Sequence, residues 1–204
     1  MSIEDGSKIE AMEAGYKIEY KPCIIVFTGP PLTGKTTLAY ELAKKSNLQV
    51  LDVDEFRRKI EKEDGRSADM ASLKAKDELE VMIKSYSAIC ETAKEMVSKG
   101  MPVILTGTFS RDEFKKPLKV LFDSMESGTI PTRSFLLTAP DDEIENRIEQ
   151  RKREHTQSNI NSMEKFQWAK NMFKEIDFST VQRIDTTEPS YVGVAGKLLE
   201  DLKK

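Results

Sequence analysis

A chain of 204 residues, 38% hydrophobic and 33% charged, is long enough for one ordinary α/β domain, and no stretch of it approaches the length of a membrane span. Its formal net charge of −3 gives no general attraction to nucleic acid. The opening residues MSIEDGSKIEAMEAG place acids where a secretory signal would be apolar, which points to the cytoplasm. Two cysteines, Cys23 in an expected strand and Cys90 on an apolar helix face, make no CxxC pair and read as core.

Residues 1–21 form an N-terminal extension with Ile9, Met12, Tyr16, Ile18 and Tyr20 in no clear period, ahead of a domain covering 22–204. The apolar run 23–28 reads as a buried strand. It leads into Gly29-Pro-Pro-Leu-Thr-Gly-Lys35-Thr36, which fits G-x-x-x-x-G-K-[ST] at every fixed position. In that pattern a strand delivers a loop whose backbone N–H groups turn inward as an anion nest, at the positive end of the following helix. Gly29 and Gly34 permit backbone angles and close approaches that other residues resist. Pro30 and Pro31 stiffen the loop but remove two donors, so the nest relies on Leu32, Thr33, Gly34, Lys35, Thr36 and Thr37. Lys35 would reach the β- and γ-phosphates, and the Thr36 hydroxyl would bind Mg²⁺. A plain Gly/Pro turn is the alternative, and the strand-loop-helix context counts against it.

A helix is expected over 35–46, with Leu38, Ala39, Leu42 and Ala43 buried and Asn47 as a stop. Residues 49–54 read as a second strand. If it persists, side-chain alternation points Asp52 and Asp54 to the same side, at the sheet end where ligands collect. Asp54 is then placed to take a proton from a substrate hydroxyl and Asp52 to hold Mg²⁺ through water. Arg57, one turn into the next helix, would share a face with Asp54 and grip the acceptor or a phosphate oxygen. The plainer alternative makes Asp54 the cap of a helix over 55–62.

The apolar stripe from Leu79 to Val97 predicts one long helix over 69–99, or two with a break, stopped by Gly100. Strands follow at 102–106, 133–139 and 180–185. Helices follow at 112–126, from 141 through 153, at 163–176 and at 191–202, with the polar residues 154–162 between two of them. Strands alternating with helices predict a parallel sheet with helices on both faces. Arg147 and Arg151 share one helical face, where they would stack on adenine and clamp the transferring phosphoryl group as a lid (about 147–178) closes. A solvated face pairing Glu143 and Glu149 is the alternative. His155 reads as a surface group, and Trp168, with Phe166 and Phe173, reads as lid core or as a substrate contact.

The segments GPPLTGKTTLAYELA, VDEFRRKI, PVILTGTFSR, FLLTAPDDEIENRIEQR and RIDTTEP together resemble the adenylate-kinase-like P-loop kinases. Within them the chain is similar to the group containing polynucleotide 5′-hydroxyl kinases, zeta toxins and gluconate or chloramphenicol kinases. The resemblance implies a three-layer P-loop NTPase fold with five parallel strands in the order 2-3-1-4-5 and a helical lid. It makes Asp54 the general base, Arg57 the substrate-orienting arginine, Arg147 the adenine-stacking arginine and Arg151 the arginine on the transferring phosphate. Asp185, Thr186 and Thr187 would wall the base pocket. The implied activity is Mg²⁺-dependent transfer of the ATP γ-phosphate to a hydroxyl of a small molecule, a nucleoside or nucleotide, or a nucleic-acid 5′ end. One departure stands out: Thr106 ends the third strand where relatives often carry an acid, which leaves Mg²⁺ to Thr36, Asp52 and water. It also keeps open a second reading, a degenerate kinase that binds ATP as a switch or interaction module without transfer.

Overall fold

The computed structural model describes residues 17–63, 75–126, 130–155, 159–187 and 191–203. The β-branched run after Pro22 and Cys23 forms β1 (Ile24–Thr28), buried throughout, and the P-loop carries the chain into α1 (Lys35–Lys44). Next come β2 (Gln49–Asp52), α2 (Val53–Glu63), α3 (Ala75–Ser98), β3 (Val103–Thr106) and α4 (Asp112–Glu126). The chain continues through β4 (Thr132–Thr138), α5 (Asp141–Arg153), α6 (Met163–Met172), β5 (Val181–Asp185) and α7 (Tyr191–Leu198), and ends in a 3-10 turn, Glu200–Leu202.

The five strands form one sheet in the order β2-β3-β1-β4-β5, and every pairing is parallel. Strand alternation divides the core between the two faces. Ile24 and Val26 of β1 pack with Val103 and Leu105 of β3 against the Tyr86, Ile89, Ala93 and Val97 stripe of α3 and the Leu118, Leu121 and Phe122 face of α4. Cys23, Ile25 and Phe27 point the other way, with Leu38 and Leu42 of α1 and Ala195 and Leu199 near the C-terminus. The result is a helix-sheet-helix P-loop NTPase fold, and β1, with β3 on one side and β4 on the other, sits at the point where the strand order reverses. The open crevice of such a sheet lies at that point, beyond the strands' C-terminal ends.

Several boundaries differ from expectation. α1 ends at Lys44, and Asn47, expected as its stop, brackets residue 20: its Oδ1 accepts from Tyr20 N at 2.8 Å and its Nδ2 donates to Tyr20 O at 3.1 Å. Tyr20 is buried, and bridges from Ile18 to Ser46 and from Tyr20 to Lys203 fasten this part of the extension to the α1 face. α6 stops at Met172, because Phe173 is extended; Ile176, expected in that helix, enters the core against α4. Positions 69–74 of the expected long helix lie outside the described residues. Among those described, no helix is long and apolar enough to cross a membrane.

Candidate active site

The loop after β1 has the backbone of an anion nest. Gly29 (φ 141°), Leu32 (φ 66°) and Gly34 (φ 83°) all have positive φ, which turns successive N–H groups toward one side. At Gly29 a Cβ would come within 2.5 Å of the Leu137 carbonyl oxygen of β4, so only glycine fits. Leu32 tolerates its left-handed conformation because its side chain is anchored, buried with Ile144, Ile148 and Phe166 of α5 and α6. The Thr33 hydroxyl turns inward and donates to Pro30 O at 2.9 Å, which leaves its backbone N–H for a nest. Lys35 Nζ donates to the carbonyls of Gly29 (2.9 Å) and Pro30 (2.6 Å). Enclosure of the ammonium by the loop lowers its pKa to about 8, against the opposing attraction of Asp54 and Asp52 and with a smaller push from Arg151.

Asp52 is the hub of the next layer. Its Oδ2 accepts from the hydroxyls of Thr36 (2.7 Å) and Thr106 (2.6 Å), and its Oδ1 accepts from Asp54 N at 2.8 Å. The register makes this possible, since Asp52 and Thr106 are partners across the β2–β3 ladder. Two expectations are corrected here. The second strand ends at Asp52, not Asp54, so the two carboxylates are not brought together by strand alternation. The cap of the following helix is Asp52, whose carboxylate satisfies the Asp54 N–H, an orphan donor of the first turn, and so ends the strand. Asp54 is left on the first turn of α2 with its side chain 59% exposed and its Oδ1 3.7 Å from Arg57 Nη2.

A cleft of about 1540 Å³ gathers these groups: Lys35, Thr36, Thr37, Asp52, Asp54, Arg57 and Arg151 all line it. Leu32 and Gly34 reach its edge, as do His155 and Trp168 of the expected lid. The remaining expected nucleotide contacts, Arg147 and Asp185 to Thr187, gather beside the P-loop and do not line the cleft. Arg147 Nη1 donates to Leu32 O (2.8 Å) and Thr186 Oγ1 (3.1 Å), its Nη2 donates to Thr186 O (3.2 Å), and its Nε donates to Glu143 (2.8 Å). Arg147 thus fastens the P-loop to the turn after β5, while also making the Glu143 pair of the plainer alternative. In that turn Asp185 accepts from the Thr187 N–H (2.9 Å) and hydroxyl (2.7 Å), and these bonds hold its carboxyl below the usual range. Thr186 packs opposite Gly34, 3.5 Å from where a Cβ would stand.

Sequence reasoning missed what α3 and α4 contribute to the cleft. Tyr86 stacks on Phe114 (4.5 Å between centroids, 13° between planes), and its hydroxyl holds Thr108 Oγ1 at 2.9 Å, so this pair shapes the loop after β3. Leu79, Met82 and Tyr86 belong to the apolar stripe of α3, and nothing in the spacing distinguishes cleft from core there. Glu61, also in the lining, is a buried acid whose burial is invisible in the polar sequence RRKIEKE.

The residues present fit a magnesium ion. A threonine hydroxyl and a carboxylate, both hard oxygen donors, sit 2.7 Å apart at the start of α1. Among the described residues there is no group of three or more His, Cys, Asp or Glu side chains that could hold a metal. Mg²⁺ takes one or two protein ligands and completes its shell with water and phosphate, so this hydroxyl and carboxylate are a sufficient donor set. Thr106 bears on this fit. A carboxylate in its place would face Asp52 at hydrogen-bond distance, whereas its hydroxyl donates and keeps the single acid oriented.

In sequence, residues 24–176 match the model of the AAA_33 family, described as an AAA domain. No curated protein matches the chain significantly. Among solved structures, a protein of Chloroflexus aurantiacus assigned as a kinase superposes with a TM-score of 0.65 at 20% identity, covering 90% of this chain and 98% of its own. A sugar kinase from Janibacter gives 0.61 at 17%, covering 88% and 95%. The Mycobacterium tuberculosis APS kinase, solved with AMPPNP and APS, gives 0.57 at 16%, covering 90% and 98%. At these identities the likeness is one of fold, and the fold is shared with kinases. With its P-loop, its 2-3-1-4-5 sheet and a family match spanning most of its length, the chain belongs to the AAA_33 family of P-loop proteins.

Proposed function

We propose that this protein is an ATP-dependent kinase that transfers the γ-phosphate to a hydroxyl of a small acceptor. The observation that carries the reading is the convergence, in one cleft, of the P-loop lysine, a cleft-facing carboxylate on α2 and arginines from two different helices. Phosphoryl transfer asks for little else: charge neutralisation, positioning and an in-line nucleophile. In this reading the P-loop amides and Lys35 bind the phosphates, and Arg147, Asp185, Thr186 and Thr187 border the base. The acceptor oxygen attacks the γ-phosphorus while its proton passes to the Asp54 carboxylate. The bond from the γ-phosphorus to the bridging oxygen breaks, and ADP leaves with that electron pair. Lys35 and Arg151 neutralise charge on the phosphoryl oxygens, and Arg57 orients the acceptor. Thr36 and Asp52 would hold Mg²⁺, which when bound offsets phosphate charge.

The cleft's acceptor side supports a small, polar acceptor with some apolar surface: Arg57, Arg58 and Arg111 stand with Glu61 and Glu78 beside Leu79, Met82 and Phe114. Two of the structural neighbours are a sugar kinase and an APS kinase, which suits this size class. The decisive experiment measures transfer of labelled γ-phosphate from Mg-ATP by the wild type and Asp54→Asn, against sugars, sugar acids, nucleosides, nucleotides and 5′-hydroxyl oligonucleotides. Label on one acceptor class, lost by a factor of about a hundred or more in the variant, is the expected result. Tight ATP binding without transfer to any of them would favour a binding module, and full activity in Asp54→Asn would remove Asp54 from its role.

A further inference from the structure

The acceptor wall contains a charge to which the mechanism above gives no task. Glu61 shares the face of α2 that carries Asp54 and Arg57, at positions i+7, i and i+3, and it is 3% exposed. Its partner among the described residues is Arg57, whose Nε lies 3.7 Å from Glu61 Oε1, while Nη2 of the same guanidinium lies 3.7 Å from Asp54 Oδ1. Oε1 is shut off from solvent and accepts no hydrogen bond. Burying a carboxylate costs more than an ion pair at that separation returns, and an apolar residue would fill the position at lower cost. Arginine preceding glutamate by four residues is also the less favourable order along a helix. Stability alone therefore gives no reason for a glutamate here.

We infer that Glu61 is a positioning residue for Arg57, an assignment that rests on reading Asp54 and Arg57 as acceptor-side groups. A guanidinium one turn from a carboxylate tends to close onto it through two parallel hydrogen bonds. That closure would occupy the Asp54 oxygens that must receive the acceptor proton. The charge of Glu61, placed at the Nε edge, pulls the guanidinium the other way and keeps the Asp54 contact open. The Nη edge is thereby held toward the cleft, and the rotamer freedom of a long side chain is lost before the acceptor arrives.

The test reads the arginine directly. In ¹H–¹⁵N spectra of the full chain, with Arg57→Lys used to assign the Arg57 Nε–H signal, Glu61→Gln is compared with wild type. The inference expects that signal to shift and its exchange with water to quicken by about an order of magnitude, while affinity for a fluorescent ATP analogue stays within about twofold. Once an acceptor is in hand, kcat should fall about tenfold or more at constant KM for ATP, and Glu61→Asp should recover part of the loss. An unmoved Nε–H signal in folded Glu61→Gln overturns the inference. Should Glu61→Gln not fold, Glu61→Asp, which keeps the charge and shortens its reach, carries the same measurement, and an unmoved signal there overturns it equally. Normal transfer with an unmoved signal would leave the kinase reading standing and remove only Glu61; a moved signal with no transfer to any acceptor would do the reverse.

Discussion

Lys35 is held by its own loop, and that has a measurable protonic consequence. Below a pH of about 8 the enclosed ammonium is charged in the free protein; above it, the free protein gives up a proton that an unfolded chain keeps until about 10.5. Across that window the unfolded state binds more protons, so stability should rise with pH on account of this group. A triphosphate replacing the Gly29 and Pro30 carbonyls as partner favours the charged form and returns the pKa toward its ordinary value. ATP binding near pH 9 should then take up most of a proton, as read by calorimetry in buffers of different ionisation enthalpy, and near pH 7 this lysine should take up none. Equal uptake at both would mean that the phosphates do not meet Lys35. The Thr106 hydroxyl is a second residue whose part can be measured. Thr106→Val keeps the shape and removes one of three hydrogen bonds to Asp52, and should cost about 1–3 kcal/mol in urea unfolding with a raised Mg²⁺ requirement. An unchanged midpoint would mean that Asp52 is held by Thr36 and the α2 backbone alone.

Among the elements, the P-loop is the least forgiving. Gly29→Ala forces a side chain into left-handed backbone and against the β4 carbonyl, and should lower stability by about 1–3 kcal/mol. Gly100→Ala supplies the control: its φ of 84° is equally left-handed, but its surroundings are open, so the cost there is the backbone strain alone, about 1 kcal/mol. Comparable losses in thermal unfolding would remove the β4 contact as the cause. At this scale most of the fold was legible, because the elements here obey local rules. The strands are short apolar runs, the long stripe of α3 has helical period, and Gly100 stops it. The transition from β2 to α2 was not legible, since no turn residue separates them and the side chain of Asp52 alone converts extended chain into helix. The contacts of Arg147 were not legible for a different reason: two of its partners, Leu32 and Thr186, lie 115 and 39 residues away, beyond any periodicity. Glu61 shows the third limit, since a charged residue in a charged helix carries no mark of burial.

Over the whole molecule, the cleft borders two packing units. The sheet and its helices provide the floor, and α5 with α6 forms a smaller cluster into which Leu32 of the P-loop is inserted. Trp168, the chain's one tryptophan, stands on α6 at the cleft margin with 63% of its surface exposed. If phosphate draws Arg151 inward, α6 follows through its contacts with α5. A non-hydrolysable ATP analogue should then shift Trp168 emission to the blue and reduce its quenching by acrylamide, and unchanged emission at saturation would mean that this unit stays in place.

The central position of β1 has a consequence for the protein's own synthesis. The strand that delivers the P-loop is flanked by β3 on one edge and β4 on the other, segments that begin at residues 103 and 132. On a ribosome, residues 23–37 emerge early, and either edge of β1 is covered only after about half of the chain has been made. A nascent chain cut short before β4 carries the whole P-loop motif while one edge of β1 is still open. Competence to bind ATP should therefore appear late in translation, once β4 and the turn after β5, which Arg147 ties to the P-loop, have left the ribosome.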